Sequence, residues 1–330
     1  MCLVRGNAVR PSEVFNTYWR FAAERQRVFF KKFKQEPAPW TSDAILSKYK
    51  FTNAYRAADR VSQYLIRNVI YRGEQCAEEV FFRVILFRTF NRISTWRLLE
   101  ETFGRISYKD YSFEHYDEVL SEAQDTGKRI YSAAYIMPSG NKSFGYSRKH
   151  RNHLKLLEKM LAEHVPSRMG ESKSMSEAFC LLRSYPTIGD FLAYQYVTDI
   201  NYSELTDFSE MEFVAAGPGA KSGIEKCFRS LGGLSYAGVI RLVAERQEEE
   251  FKRRNLEFPD LWGRPLQLID CQNLFCEVDK YARLAHPEIK GRVGRKRIKQ
   301  KYLPSAEPVK YWFPPKWDLN KIIQGDQTAI

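Results

Sequence analysis

Asp270, Asn273 and Glu277 fall on one stripe of a segment otherwise made of Leu268, Ile269, Cys271, Leu274, Phe275, Cys276 and Val278. Burying an unpaired carboxylate is costly, so each acid either pairs with a cation from another helix or has a raised pKa and exchanges protons. Asp279 and Lys280 can join the same network. A second stripe has the opposite sign. At 100° per residue, Arg56, Arg60, Gln63 and Arg67 lie within about 60° of one another, with Ala54, Ala58, Val61, Leu65 and Val69 on the other face. It reads either as a solvated basic face or as an anion cradle in which guanidinium groups clamp phosphate bidentately.

Two glycine turns could hold phosphate through backbone N–H groups at the start of a following helix. The first is Tyr185-Pro186-Thr187-Ile188-Gly189-Asp190, with Ala178, Phe179, Leu181 and Leu182 before it and Phe191, Leu192 and Tyr194 after it, the outline of a helix-hairpin-helix. The second, Gly217-Pro218-Gly219-Ala220-Lys221-Ser222-Gly223, mimics a nucleotide-binding P-loop but puts Ala215 and Ala220 where both motif glycines belong. Phosphate held by Gly217, Gly219, Lys221 and Ser222 at a helix start is the better reading, with Gly189 doing the same at the first turn. The basic segment from Arg292 to Lys301, including Arg295 and Arg297, and the aromatic run Tyr311-Trp312-Phe313 after it read as a nucleic-acid-contacting arm or as a surface arm packed on the body.

The balance of 52 Lys+Arg against 40 Asp+Glu, net +12 over 330 residues, favours an anionic partner, nucleic acid among the candidates. No run of about 18 apolar residues exists, and the apolar part of Met1-Cys2-Leu3-Val4-Arg5 is too short for a secretory signal. No membrane partner is expected; an intracellular site is, cytoplasmic or nuclear depending on the host. The six cysteines, at 2, 76, 180, 227, 271 and 276, read as reduced core thiols. Neither their spacing nor that of the five histidines suggests zinc, so no metal and no cofactor are expected.

Helical periodicity dominates, which makes the chain mainly α. Helices are expected from Pro11-Ser12 to about Lys34, with a short one capped by Thr41 or Ser42, then over Asn53–Tyr71 and Ala77–Phe103, the last buried and central. Further helices are expected over Lys149–Ala162, Ser174–Ser184, Phe191–Ile200, Leu234–Arg254 and Gln267–Leu284. Residues 1–285 form the helical domain, with a possible boundary near 138–147, and 286–330 form a basic, aromatic arm.

Several strings together are more specific than either turn: Pro39 to Leu46, Tyr49 to Arg56, Asp59 to Leu65, Tyr185 to Ala193, Phe213 to Gly223, and Ile269 to Glu277. They resemble the helical-domain family named for 5-hydroxymethyldeoxyuridine DNA kinase, also described as α-glutamyl/putrescinyl-thymine pyrophosphorylases, over about residues 12 to 285. The resemblance implies a multi-helix, glycosylase-like architecture with helix-hairpin-helix elements, acting in thymine hypermodification. It implies a transferase that replaces the pyrophosphate of 5-pyrophosphoryloxymethyluracil in DNA with an amine or amino acid, a separate P-loop DNA kinase having installed that pyrophosphate. Arg56, Arg60 and Arg67 would then stabilise the leaving pyrophosphate, and Asp270 or Glu277 would take the amine proton. In helix-hairpin-helix glycosylases an acid follows the hairpin glycine by about twenty residues, where this chain has Glu210 and Glu212. That leaves open a glycosylase-like hydrolase using Glu212 or Glu210, and a DNA-binding module without catalysis.

Overall fold

A computed structural model describes all residues except 1, 2, 5, 6, 134–136, 293, 305–308, 329 and 330. Cys2 and most of the opening segment therefore lie outside the described residues, as does Val293 of the basic segment. The protein is mainly α, as its periodicity predicts. Strands β1 (Leu3–Val4), β2 (Asn7–Ala8) and β3 (Arg10–Pro11) lead into helices α1 (Glu13–Phe33), α2 (Ala44–Lys48), α3 (Arg60–Tyr64), α4 (Ala77–Phe90), α5 (Ile93–Phe103) and α6 (Phe113–Asp125). There follow α7 (Asn141–Phe144), α8 (Lys149–Ala162), α9 (Val165–Glu171), α10 (Met175–Arg183), α11 (Asp190–Ile200) and α12 (Pro218–Cys227). Strand β4 (Phe228–Ser230) pairs antiparallel with β3, and α13 (Tyr236–Glu245), α14 (Gln247–Arg253), α15 (Leu268–Ala285) and α16 (Asn320–Thr328) complete the order. Among the described residues no helix is long and apolar enough to cross a membrane.

The chain divides into two compact units: Met1–Asp59, Phe213–Tyr311 and Leu319–Ile330 form the first, and Arg60–Glu212 and Trp312–Asp318 the second. In the first, α1 starts where Ser12 Oγ accepts the Val14 N–H at 3.2 Å and buries Val14, Phe15, Tyr18, Trp19 and Phe21. Tyr18 packs on Phe275 of α15, centroids 4.5 Å apart. Helix α12 packs on the same α15 so closely that a Cβ on Gly223 would stand 2.0 Å from the Phe275 carbonyl oxygen, and one on Gly219 would stand 3.0 Å from Cys276 Sγ. The two glycines share one helix face, so the backbone approach explains both.

In the second unit α4 is buried from Glu79 to Phe90, as its all-round apolar pattern predicts. Its charges are internally matched: Arg83 meets Glu79 at 3.0 Å, and Arg88 meets Asp199 of α11 at 2.7 Å. The helix expected to run on to Phe103 stops at Asn91, which takes the left-handed conformation (φ 48°), and α5 begins afresh.

The largest departure lies in the helix expected over 53–71. Asn53 Nδ2 donates to the Ala58 carbonyl at 2.8 Å and the Asn53 N–H donates to Asp59 Oδ1 at 2.8 Å. Such side-chain bonds compete with a helical ladder. Only a 3-10 turn forms at Arg56–Ala58, Asp59 is extended (ψ 144°), and α3 runs directly into a π-helical turn at Leu65–Ile70. Arg83 stabilises that wider turn by donating to the carbonyls of Val69 at 2.9 Å and Ile70 at 3.1 Å.

Candidate functional site

The broken helix changes what its arginines can do. Arg56 is buried and belongs to the first unit, whereas Arg60 and Arg67 are exposed members of the second. Gln63, placed between them by the 100° projection, is buried and accepts the Trp312 N–H at 2.7 Å. The continuous stripe is therefore not formed, because its geometry required one unbroken α-helix.

Within the first unit the late-helix acids reach residues 52–59, but as backbone anchors. Asp270 closes the N-terminus of α15 in a capping box, its Oδ2 accepting the Gln267 N–H at 3.0 Å. Its Oδ1 accepts the Arg56 N–H at 2.7 Å. Glu277 Oε2 accepts the Thr52 N–H at 2.9 Å and a hydrogen bond from Lys280 Nζ at 2.7 Å. From α1, buried Arg25 donates Nε–H to the Thr52 carbonyl and Nη2–H to Asn53 Oδ1, both at 2.9 Å.

At the centre of this frame sits Asp59, a residue that periodicity did not single out. Burial pushes its carboxyl up to about 7, reinforced by the Glu277 charge and opposed by the Asn53 amide, Arg25 and Arg56. One oxygen is held by Asn53, and the residue is half-buried rather than sealed. Arg25 is shifted down by burial although Asp59 and Glu277 oppose that change. Tyr311 closes the group, its phenol raised by burial and by the Asp59 charge and lowered by Arg25, and its ring 5.1 Å from Phe29. The aromatic wall continues through Phe33 to Trp262, centroids 5.0 Å apart. The signal that could have found Asp59 was local: an Asn six residues before an Asp, inside a string whose periodicity is otherwise helical.

The P-loop look-alike is built for packing and ion pairing. Gly217 is the N-cap of α12, and its N–H is taken by Gln272 Oε1 at 3.2 Å. Ser222 donates Oγ–H to Asp279 Oδ1 at 2.7 Å, and Lys226 Nζ lies 3.0 Å from the same oxygen. Arg283 Nη2 donates to Asp279 Oδ2 at 2.6 Å. Burial pushes the Asp279 carboxyl up, but the hydrogen bonds from Arg283 and Ser222 and the charge of Lys226 outweigh it and hold it below the usual carboxylate range. Lys221 is half-exposed, its ammonium 5.9 Å from the Tyr236 ring.

The model of the helical domain of 5-hmdU DNA kinase matches residues 12–291. This chain belongs to that family. Among curated proteins, the 5-hmdU DNA kinase of Bacillus phage SP10 is 27% identical over 295 residues, which cover 82% of this chain and 46% of that protein. The chain thus spans about half the length of the curated relative it matches. No solved structure matches it.

The remaining candidates fall in both units, Glu210, Glu212 and Gly189 in the second and Arg295 and Arg297 in the first. Glu212 is exposed and accepts the Met175 N–H at 3.0 Å at the start of α10, while Glu210 is buried. Gly189 is the exposed N-cap of α11 with φ −87°, a conformation any residue adopts, and a Cβ there would meet nothing within 4 Å. Asp190, in the first turn of α11, is paired with Arg183. Arg295 and Arg297 are exposed. Of the arm's aromatics, Trp312 packs edge-on against Tyr71, centroids 4.9 Å apart, and Trp317 against Tyr202. Cys227 and Cys271 are buried thiols, whereas Cys76 and Cys180 are exposed. Glu13, His286 and Glu288 bring ligand atoms within 4.8 Å of one another, with His286 Nε2 also 2.7 Å from Thr17 Oγ1.

Proposed function

We propose that this chain acts on DNA carrying modified hydroxymethyluracil and replaces the pyrophosphate of 5-pyrophosphoryloxymethyluracil with an amine, Asp59 taking the amine proton. The C–O bond to pyrophosphate breaks with its electron pair leaving on the phosphate oxygen, the N–C bond forms, and one proton passes to the Asp59 carboxylate. The observation that carries this reading is the half-buried Asp59 carboxyl, held by the Asn53 N–H in a frame that Arg25 braces, where burial pushes it up to about 7 against the charges of Arg25 and Arg56. A general base works best when its pKa lies near the operating pH. Neighbouring guanidinium charge suits a departing pyrophosphate.

Family membership supports a substrate in the hydroxymethyluracil series. The name of the phage relative describes a kinase, but the parts a P-loop would need are engaged elsewhere here: the Gly217 N–H by Gln272 and the Ser222 hydroxyl by Asp279. Phosphorylation is therefore assigned to a separate P-loop DNA kinase, whose product this protein would consume. The target base would leave the stack to react, as bases do in other base-modifying enzymes. The half-buried rings of Trp262 and Tyr311 near Phe29 and Phe33 offer it an aromatic surface. Exposed Arg295 and Arg297, in the same unit as Asp59, would contact flanking phosphates.

Mass spectrometry of nucleosides from pyrophosphorylated hydroxymethyluracil DNA, incubated with the protein and a panel of amines, tests this. An aminated thymidine accompanied by released pyrophosphate is expected. Abasic sites formed without any amine would instead establish a glycosylase-like hydrolase.

A further inference from the structure

The second unit contains a cleft of about 270 Å³ lined by Asn68, Arg72, Gly73, Trp96, Glu100 and Arg105. One wall is the π-helical turn and the reversal that follows it; the other is α5 and the residues just beyond. Wide helical turns of this kind recur at functional sites. Gly73 has φ +120°, and a Cβ there would stand 3.3 Å from Arg83 Nη1 and 3.4 Å from Arg105 Nη2. Glycine thus lets two guanidinium groups come close to the turn, and the Arg105 charge lowers the pKa of Arg83 in addition to the larger effect of burial.

The donors in this cleft are poorly matched within the protein. Arg72 and Arg105 remain 71% and 56% exposed, and each meets a carboxylate, Glu100 and Glu74 respectively, only at 3.6 Å. Asn68 and Trp96 complete the lining. Two fork-shaped cations held only loosely by their own carboxylates suit a ligand rich in oxygen acceptors and negative charge.

We propose that this cleft is a phosphoryl-anion site, Arg72 and Arg105 supplying the charge and the hydrogen-bond donors. Its volume is below the roughly 300 Å³ at which drug-sized sites begin. That size suits inorganic pyrophosphate or a single DNA backbone phosphate, two sources of the same chemistry. Glu100 opposes the ligand: it competes for Arg72 and is itself held by the Tyr64 hydroxyl at 3.3 Å. The site lies wholly within the second unit and shares no residue with the Asp59 cluster, so each stands or falls without the other.

Isothermal titration of the intact protein with inorganic pyrophosphate, and separately with a short duplex lacking terminal phosphates, tests the assignment. At least one should bind, and Arg72→Ala/Arg105→Ala should weaken it about tenfold or more. Glu100→Gln should tighten it, a sign that a merely structural role would not give. Binding of pyrophosphate identifies a free anion; binding of the duplex with the same response to these variants identifies backbone phosphate. The proposal is overturned if neither ligand binds or if the double variant binds as the wild type does. Should the double variant fail to fold, Glu100→Gln binding no more tightly than wild type overturns it.

Discussion

The Asp270 carboxylate receives the backbone N–H of Arg56 at 2.7 Å through one oxygen and that of Gln267 at 3.0 Å through the other. An acid read from its spacing as a proton carrier is thus the joint between the N-terminus of α15 and the 3-10 turn at residues 56–58. Asp270→Asn should keep one acceptor but replace the other with an amide that cannot accept, costing about 1–3 kcal/mol in chemical denaturation. The pH profile of turnover should not move.

The two glycine turns should respond differently. Gly223→Ala places a methyl against the Phe275 carbonyl and should destabilise by at least about 1–3 kcal/mol, as over-packing does. Gly189→Ala meets no atom, and as an N-cap change it should cost no more than about 1 kcal/mol. A loss of DNA affinity in Gly189→Ala without a matching loss of thermal stability would show that the glycine serves a partner's approach.

Asp279 should govern acid stability. Its folded pKa lies below its unfolded one, so its contribution is complete above about pH 4 and is lost as pH falls through the lower folded value. Asp279→Ala leaves Lys226 buried without its partner and should cost about 3–5 kcal/mol at pH 7. Urea titrations at a series of pH values check both, and an unchanged acid limb in the variant would exclude Asp279 as its source.

Asp59 should act with the opposite sign. An acid whose folded pKa of about 7 stands above its unfolded value of about 3.9 holds more protons folded than unfolded across that interval. Its contribution therefore falls as pH rises from about 4 to 7 and is level beyond. Asp59→Asn, which can still accept the Asn53 N–H, should be stabilised relative to wild type increasingly over that window. Denaturation midpoints of the two proteins that stay parallel from pH 4 to 8 would refute the shifted carboxyl.

Long periodic elements were legible in the sequence because one face of each must be buried: Lys149–Ala162 is helical to the residue, and α1 and α15 start and stop within a residue or two of their patterns. The segment 53–71 was not, because side-chain bonds from Asn53 and Asp59 and a π-helical turn braced by Arg83 override a pattern that itself looks helical. The same override hid the site. Asp59 owes its raised pKa first to burial by tertiary packing and then to Glu277, more than two hundred residues later, against the opposing charge of Arg25, more than thirty earlier, and local spacing reveals none of these. The glycines of the second turn carry a packing role that spacing alone did not show. Glycine permits close approach of any backbone, and α15 approaches Gly219 and Gly223 here.

The most direct test is the pH dependence of amine incorporation into pyrophosphorylated hydroxymethyluracil DNA by the wild type and Asp59→Asn, followed by nucleoside mass spectrometry. The wild-type rate should rise through an inflection near 7 as the Asp59 carboxyl ionises. Asp59→Asn should lose that inflection together with a factor of about 10²–10⁴ in rate. A folded Asp59→Asn protein that retains wild-type turnover and the same inflection would contradict the assignment.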